Sequence, residues 1–70
     1  MRVIASPMAG TISRLLVQMG DTVTSGQDVM ILESMKMEIP VQTDASGKVK
    51  AVKVAEGDFV DEGTPLLEIE

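Results

Sequence analysis

Sliding the chain along itself by 37 positions lays Gly10–Glu33 over Gly47–Glu70, and seven of the 24 pairs are identical: Gly10/Gly47, Val17/Val54, Gly20/Gly57, Asp21/Asp58, Val23/Val60, Gly26/Gly63 and Glu33/Glu70. Ordinary residue frequencies give about one or two. Ile12/Val49, Leu15/Val52, Val29/Leu66, Met30/Leu67 and Leu32/Ile69 keep apolar character. A unit this short cannot close a core alone, so the two copies must share one. With 70 residues there is room for one small domain, 1–70, built from half-repeats of about 2–35 and 38–70.

The repeat also decides the secondary structure. Gly or Pro falls at 7, 10, 20, 26, 40, 47, 57, 63 and 65, with β-branched residues between, as in brief strands joined by tight turns. The spacing predicts strands at 2–6, 11–17, 22–24, 28–33, 38–43, 48–54, 59–61 and 65–70. Ile12 with Leu15, and Val49 with Val52, break strict alternation and point to a bulge in each strand. A competing helix over Gln27–Ile39 is open on periodicity, since Val29, Leu32, Met35 or Lys36, and Ile39 make a helical stripe. Its repeat partner, however, is Pro65–Glu70, too short for an independent helix and opened by a proline suited to a strand start. The expected fold is therefore all-β, a flattened barrel or sandwich of two four-stranded antiparallel sheets related by a pseudo-twofold axis.

Composition narrows function by what is missing. Without Cys or His there is no thiolate or imidazole metal site, no thiol nucleophile and no Ser-His-Asp triad. One aromatic residue, Phe59, makes no platform for stacking bases, and a net charge of −5 opposes a phosphate-backbone partner. No run approaches the roughly 20 apolar residues of a membrane span, and the start lacks the pattern of a secretory signal. The expectations are no catalytic residues, no metal, no nucleic acid, no membrane, and a cytoplasmic location.

The two halves meet at Ser34-Met35-Lys36-Met37. If 28–33 and 38–43 pair, these residues form a hairpin tip and Lys36 projects into water at the far end from the chain termini. Lys36 is the only basic residue between Arg14 and Lys48, in an interval that holds Asp21, Asp28, Glu33, Glu38 and Asp44. Met and Lys suit a tight turn poorly, where Asn or Gly is preferred, and such local inconsistencies mark functional places. On residue type alone, Lys36 also reads as one more solvated lysine, with the methionines as core filler.

Glu33-Ser34-Met35-Lys36-Met37-Glu38 resembles the biotin-attachment motif of biotinyl domains, and the chain resembles the biotinyl/lipoyl domain family over essentially its whole length. Ser6-Pro7-Met8-Ala9-Gly10, the two Gly-Asp-x-Val turns at 20–23 and 57–60, Gly26 and Gly47 carry the likeness further. The resemblance implies biotin held covalently on Lys36 by a biotin protein ligase. It implies carboxylation of the attached group by a biotin carboxylase and delivery to a carboxyltransferase. It implies a carrier rather than an enzyme. Met35 and Met37 are then candidates for ligase recognition, with Ser34 and Glu33 as lesser parts of the motif; a solvated strand end is an equal reading of Glu33. Lipoyl domains usually carry an acid just before the lysine, whereas Met35 stands here, which favours biotin over lipoate. An exposed tip neither desolvates the amine nor sets a second cation beside it, so the chain should not acylate itself and the ligase supplies activation.

Only Gln18-Met19 precedes the Gly20-Asp21 turn, too little for the protruding thumb loop of some carriers, so the chain resembles the thumbless type. That type includes carrier domains at the ends of larger carboxylases and small free-standing carriers; a start at Met1 without a linker rich in Pro, Ala or Gly fits the second, and a fragment of a larger protein stays open. Glu56, Asp58, Asp61, Glu62, Glu68 and Glu70 crowd the last fifteen residues, for solubility or for steering toward basic rims on partner enzymes. Two other functions stay open: a lipoyl carrier or dual biotin/lipoyl acceptor, and an unmodified hairpin interaction module.

Overall fold

The computed structural model describes residues 1–70. Eight strands follow in order: β1 (Arg2–Ala5), β2 (Gly10–Leu15), β3 (Thr22–Val23), β4 (Asp28–Ser34), β5 (Met37–Gln42), β6 (Gly47–Val52), β7 (Phe59–Val60) and β8 (Pro65–Ile69). They form two four-stranded antiparallel sheets, β1-β8-β6-β3 and β5-β4-β2-β7. There is no helix. Residues Gln27–Ile39, where a helical stripe competed, form the β4–β5 hairpin instead.

A shift of 37, added for β1 and β3 and subtracted for β8 and β6, converts one sheet order into the other strand by strand, and the bonds between turns repeat in step. Gly20 N donates to Val49 O at 2.9 Å and Gly57 N to Ile12 O at 2.7 Å; Gly26 N donates to Thr43 O at 2.7 Å and Gly63 N to Ser6 O at 2.8 Å. Asp21 Oδ2 accepts from Gln18 N at 3.0 Å, and Asp58 Oδ2 from Ala55 N at 2.9 Å, so each Gly-Asp turn is held by its own carboxylate. The symmetry runs further back than the sequence repeat suggested. Ser6 and Thr43, both buried, bond Met8 O and Ala45 O through their hydroxyls at 2.6 and 2.8 Å.

The expected bulges lie at Ile12/Arg14 and Val49/Ala51, with further register shifts at Ile4/Ala5 and Asp28/Met30. Several strands end sooner than expected. Residues 16–17 and 53–54 leave the ladders, although Leu16 N and Lys53 N still bond Val29 O and Leu66 O. The hairpin strands instead close in to Ser34 and Met37, so the four-residue tip contracts to two.

The core is drawn evenly from both halves. Ile12, Val23, Val29, Met30 and Leu32 from the first meet Val49, Val60, Leu66, Leu67 and Ile69 from the second, with Ile4, Val17 and Val41 completing it. No polar side-chain atom is buried without a partner. Gly10 and Gly47 show how closely neighbouring strands of one sheet approach. A Cβ on Gly10 would stand 2.6 Å from Glu33 O, and one on Gly47 would collide with Glu70 O and lie 2.9 Å from Ile69 Cγ2.

Candidate functional site

The β4–β5 hairpin is anchored at its base and strained at its tip. Val29, Met30 and Leu32 of β4 are fully buried, and pairing runs from Asp28↔Gln42 through Leu32↔Ile39 to Glu33↔Glu38 and Ser34↔Met37. Two residues remain to reverse the chain. Met35 and Lys36 take φ of 53° and 65°, the only non-glycine residues with positive φ. That is the type I′ geometry, whose hand matches the twist of the flanking strands and which Asn-Gly adopts with least strain. Holding Met and Lys there costs on the order of 1–2 kcal/mol per residue, borne by the buried register of β4.

The turn carries little besides its side chains. Met35 is 92% exposed and Met37 64%. Lys36 is exposed, and its Nζ takes part in none of the chain's side-chain hydrogen bonds or ion pairs. Glu33 is exposed at the end of β4, and Ser34 is half-buried beside it with a free hydroxyl. The five motif residues thus sit together, with Met35 and Lys36 at the turn and Glu33, Ser34 and Met37 on the last two rungs.

No enclosed cavity lies at the turn. Two shallow clefts exist, one along Leu15–Gln18 with Asp21 and one along Arg2–Ala5 with Gln42 and Asp44. No group of three His, Cys, Asp or Glu could hold a metal ion. The two ion pairs, Arg2–Asp44 and Lys53–Glu68, leave the carboxylates of Glu33 and Glu38 without a cation. The Arg2 guanidinium donates to Asp44, with Nε at 3.1 Å from Oδ1, and holds that carboxyl below its usual range. What the arrangement offers chemically is one uncommitted primary amine on a fixed pedestal, open to an enzyme from outside. An unpaired amine with clear space around it can take up an activated carboxylic acid as an amide.

Sequence reasoning passed over the neighbouring face. The register sets Thr11 beside Phe59 and also beside Glu33, and Glu33 beside Glu38. The signal was present in the repeat, which aligns Phe59 with Thr22 and so marks the aromatic ring as unnecessary to the turn.

Residues 2–69 match the family model described as "Biotin-requiring enzyme". The chain is 54% identical over 66 residues to the biotin/lipoyl attachment protein of Bacillus subtilis, covering 94% of this chain and 90% of that one. It is 45% identical over 64 residues to the biotin carboxyl carrier protein of Streptococcus mutans, covering 91% of this chain and 49% of that one. It is 45% identical over 67 residues to the pyruvate carboxylase of Bacillus subtilis, covering 96% of this chain and only 6% of that one. Among solved structures, the urea carboxylase of Kluyveromyces lactis superposes on 99% of this chain and 6% of its own length, with a TM-score of 0.91 and 32% identity.

Proposed function

Since this chain belongs to the biotin-requiring family of attachment domains, we propose that it is a biotin carrier whose attachment point is the Nζ of Lys36. The observation that carries the residue assignment is the turn itself: the one lysine held at positive φ, outside every ion pair, at the end of a hairpin rooted in the core.

Residue by residue, the task is presentation. Lys36 Nζ attacks a carboxyl carbon that a biotin protein ligase has activated with ATP; the amide C–N bond forms, the activating group leaves with its electron pair, and the amine's proton passes to the ligase. Met35 and Met37 flank the amine with flexible thioethers suited to an apolar cleft. Met30, Leu32 and the ladder to β5 keep the tip from yielding as an enzyme closes on it. The attached biotin then supplies a carboxyl-carrying group that passes between two enzyme sites. Tethering gives that group an effective concentration on the order of millimolar at each site. The partners are a biotin carboxylase and a carboxyltransferase, the chain itself performs no catalysis, and the setting is the cytoplasm. Kinship with carriers inside multidomain carboxylases supports this reading.

The test is the intact mass of the protein made in cells that contain biotin and lipoate ligases. The expected result is a gain of one biotinyl group, absent from Lys36→Ala. Modification of Lys36→Ala would overturn the assignment. A second reading, acceptance of lipoate as well, draws on the 54% identity to a protein named for both groups; a lipoyl mass shift that rises in Met35→Asp would establish it.

A further inference from the structure

The pseudo-twofold axis provides an internal control for the surface around Lys36. Across the outer face of the sheet β7-β2-β4-β5, one row runs Phe59, Thr11, Glu33, Glu38, each beside the next in the register. Val60, Ile12 and Leu32, the sequence neighbours of Phe59, Thr11 and Glu33, are buried, and Ile39 beside exposed Glu38 is half-buried, so these four side chains face outward. The row spans roughly 14 Å, and its Glu38 end lies roughly 7 Å along the strand from Lys36. Adding or subtracting 37 gives the equivalent row on the other sheet: Thr22, Lys48, Glu70, Met1. Thr22 is paired with Lys48, and Lys48 O accepts from Glu70 N.

The same backbone therefore carries two rows, and only the one beside the turn holds an aromatic residue and two carboxylates free of cations. Phe59 is the chain's sole aromatic residue and is 68% exposed. Its counterpart Thr22 serves the same strand without a ring, so the fold does not require one. Glu38 has one long contact, from Ser13 Oγ at 3.5 Å, which leaves its carboxylate available. An exposed aromatic ring has the area to anchor a protein interface, and free carboxylates beside it steer a basic partner onto it.

We infer that the row Phe59-Thr11-Glu33-Glu38 is the docking face for the biotin protein ligase, with Phe59 seated in an apolar hollow and the two carboxylates facing basic groups on the ligase. The inference rests on Lys36 being the attachment site. The ligase is the occupant because it alone handles the bare amine, whose short side chain obliges the enzyme to come down onto this face. Enzymes that handle biotin meet the far end of a lengthened arm and can stand off.

The test is the rate of biotinyl transfer by a biotin protein ligase, with biotin and ATP, as carrier concentration is varied. Phe59→Thr, which copies the residue at Thr22, raises the carrier's KM on the order of tenfold and leaves kcat unchanged. Glu33→Gln with Glu38→Gln lowers kcat/KM at low salt and flattens its dependence on salt. Thr22→Phe, on the row by the termini, leaves kcat/KM at the parental value. Thermal melting of Phe59→Thr within a few degrees of the parent separates docking from folding. Parental kcat/KM in Phe59→Thr would overturn the docking face while leaving Lys36 as the attachment site. So would parental loading followed by slow carboxylation of the attached biotin. Loading of Lys36→Ala would instead bring down the attachment site and this face together.

Discussion

At the scale of single residues, the turn gives up stability to hold Met35 and Lys36 at positive φ. Met35 is strained and exposed, so Met35→Asn should stabilise the fold by about 0.5–1 kcal/mol, a rise of a few degrees in Tm by calorimetry, while slowing loading because a thioether is lost. Asp44 sets the pH behaviour. Its carboxyl is held below the ordinary range by hydrogen bonding from Arg2, against a smaller desolvation cost and with Coulombic help from the same cation. A carboxyl lowered in the folded state adds stability above its unfolded pKa and loses it as pH falls through the folded one. The parent should therefore melt slightly higher than Asp44→Asn at neutral pH, with the gap closing in acid; a gap that widens in acid would contradict the pairing. Both groups are exposed, which keeps the effect small. The place of Lys36 at a hairpin tip was legible in the sequence because the two half-repeats meet there. Arg2–Asp44 was not, because it joins residues 42 positions apart with no pattern linking them.

At the scale of elements, two kinds of glycine separate cleanly. Gly20 has φ of 97° and open space where a side chain would begin, so Gly20→Ala bears only backbone strain, on the order of 1 kcal/mol. Gly47 combines φ of 152° with a collision against Glu70 O and Ile69. Gly47→Ala should cost about 3 kcal/mol or more and leave Gly20→Ala the more stable variant in urea titrations. Strand identity was readable because both copies of each element agree: Pro65 in β8 ruled out the helix that Asp28–Ser34 alone left open. The bulges were readable from Ile12, Leu15, Val49 and Val52. Strand ends were less so, because residues such as Leu16 and Lys53 keep one ladder bond each after the strand has bent away. The Ser6/Thr43 equivalence was hidden, since different residues supply the same buried hydroxyl.

At the scale of the whole molecule, the pseudo-twofold axis governs where the ends lie. β1 and β8 pair through Arg2↔Ile69, so the termini occupy the place that the Met35-Lys36 turn occupies in the other half. β2 starts beside that turn at Thr11↔Glu33, and by Gly20 the chain has reached Val49, the partner of Ile69. Turn and termini therefore stand at opposite ends of a body 31 Å long. A folded domain fused to either end, or to both, should leave the rate of ligase loading at the parental value; a fall of tenfold in both fusions would mean the ends reach the turn. The chain is in effect a tool with its grip and its working point at opposite poles. Spliced into a long polypeptide it gains bulk only at the grip, so one building block can serve alone or as a small part of a giant without any redesign of the end that works.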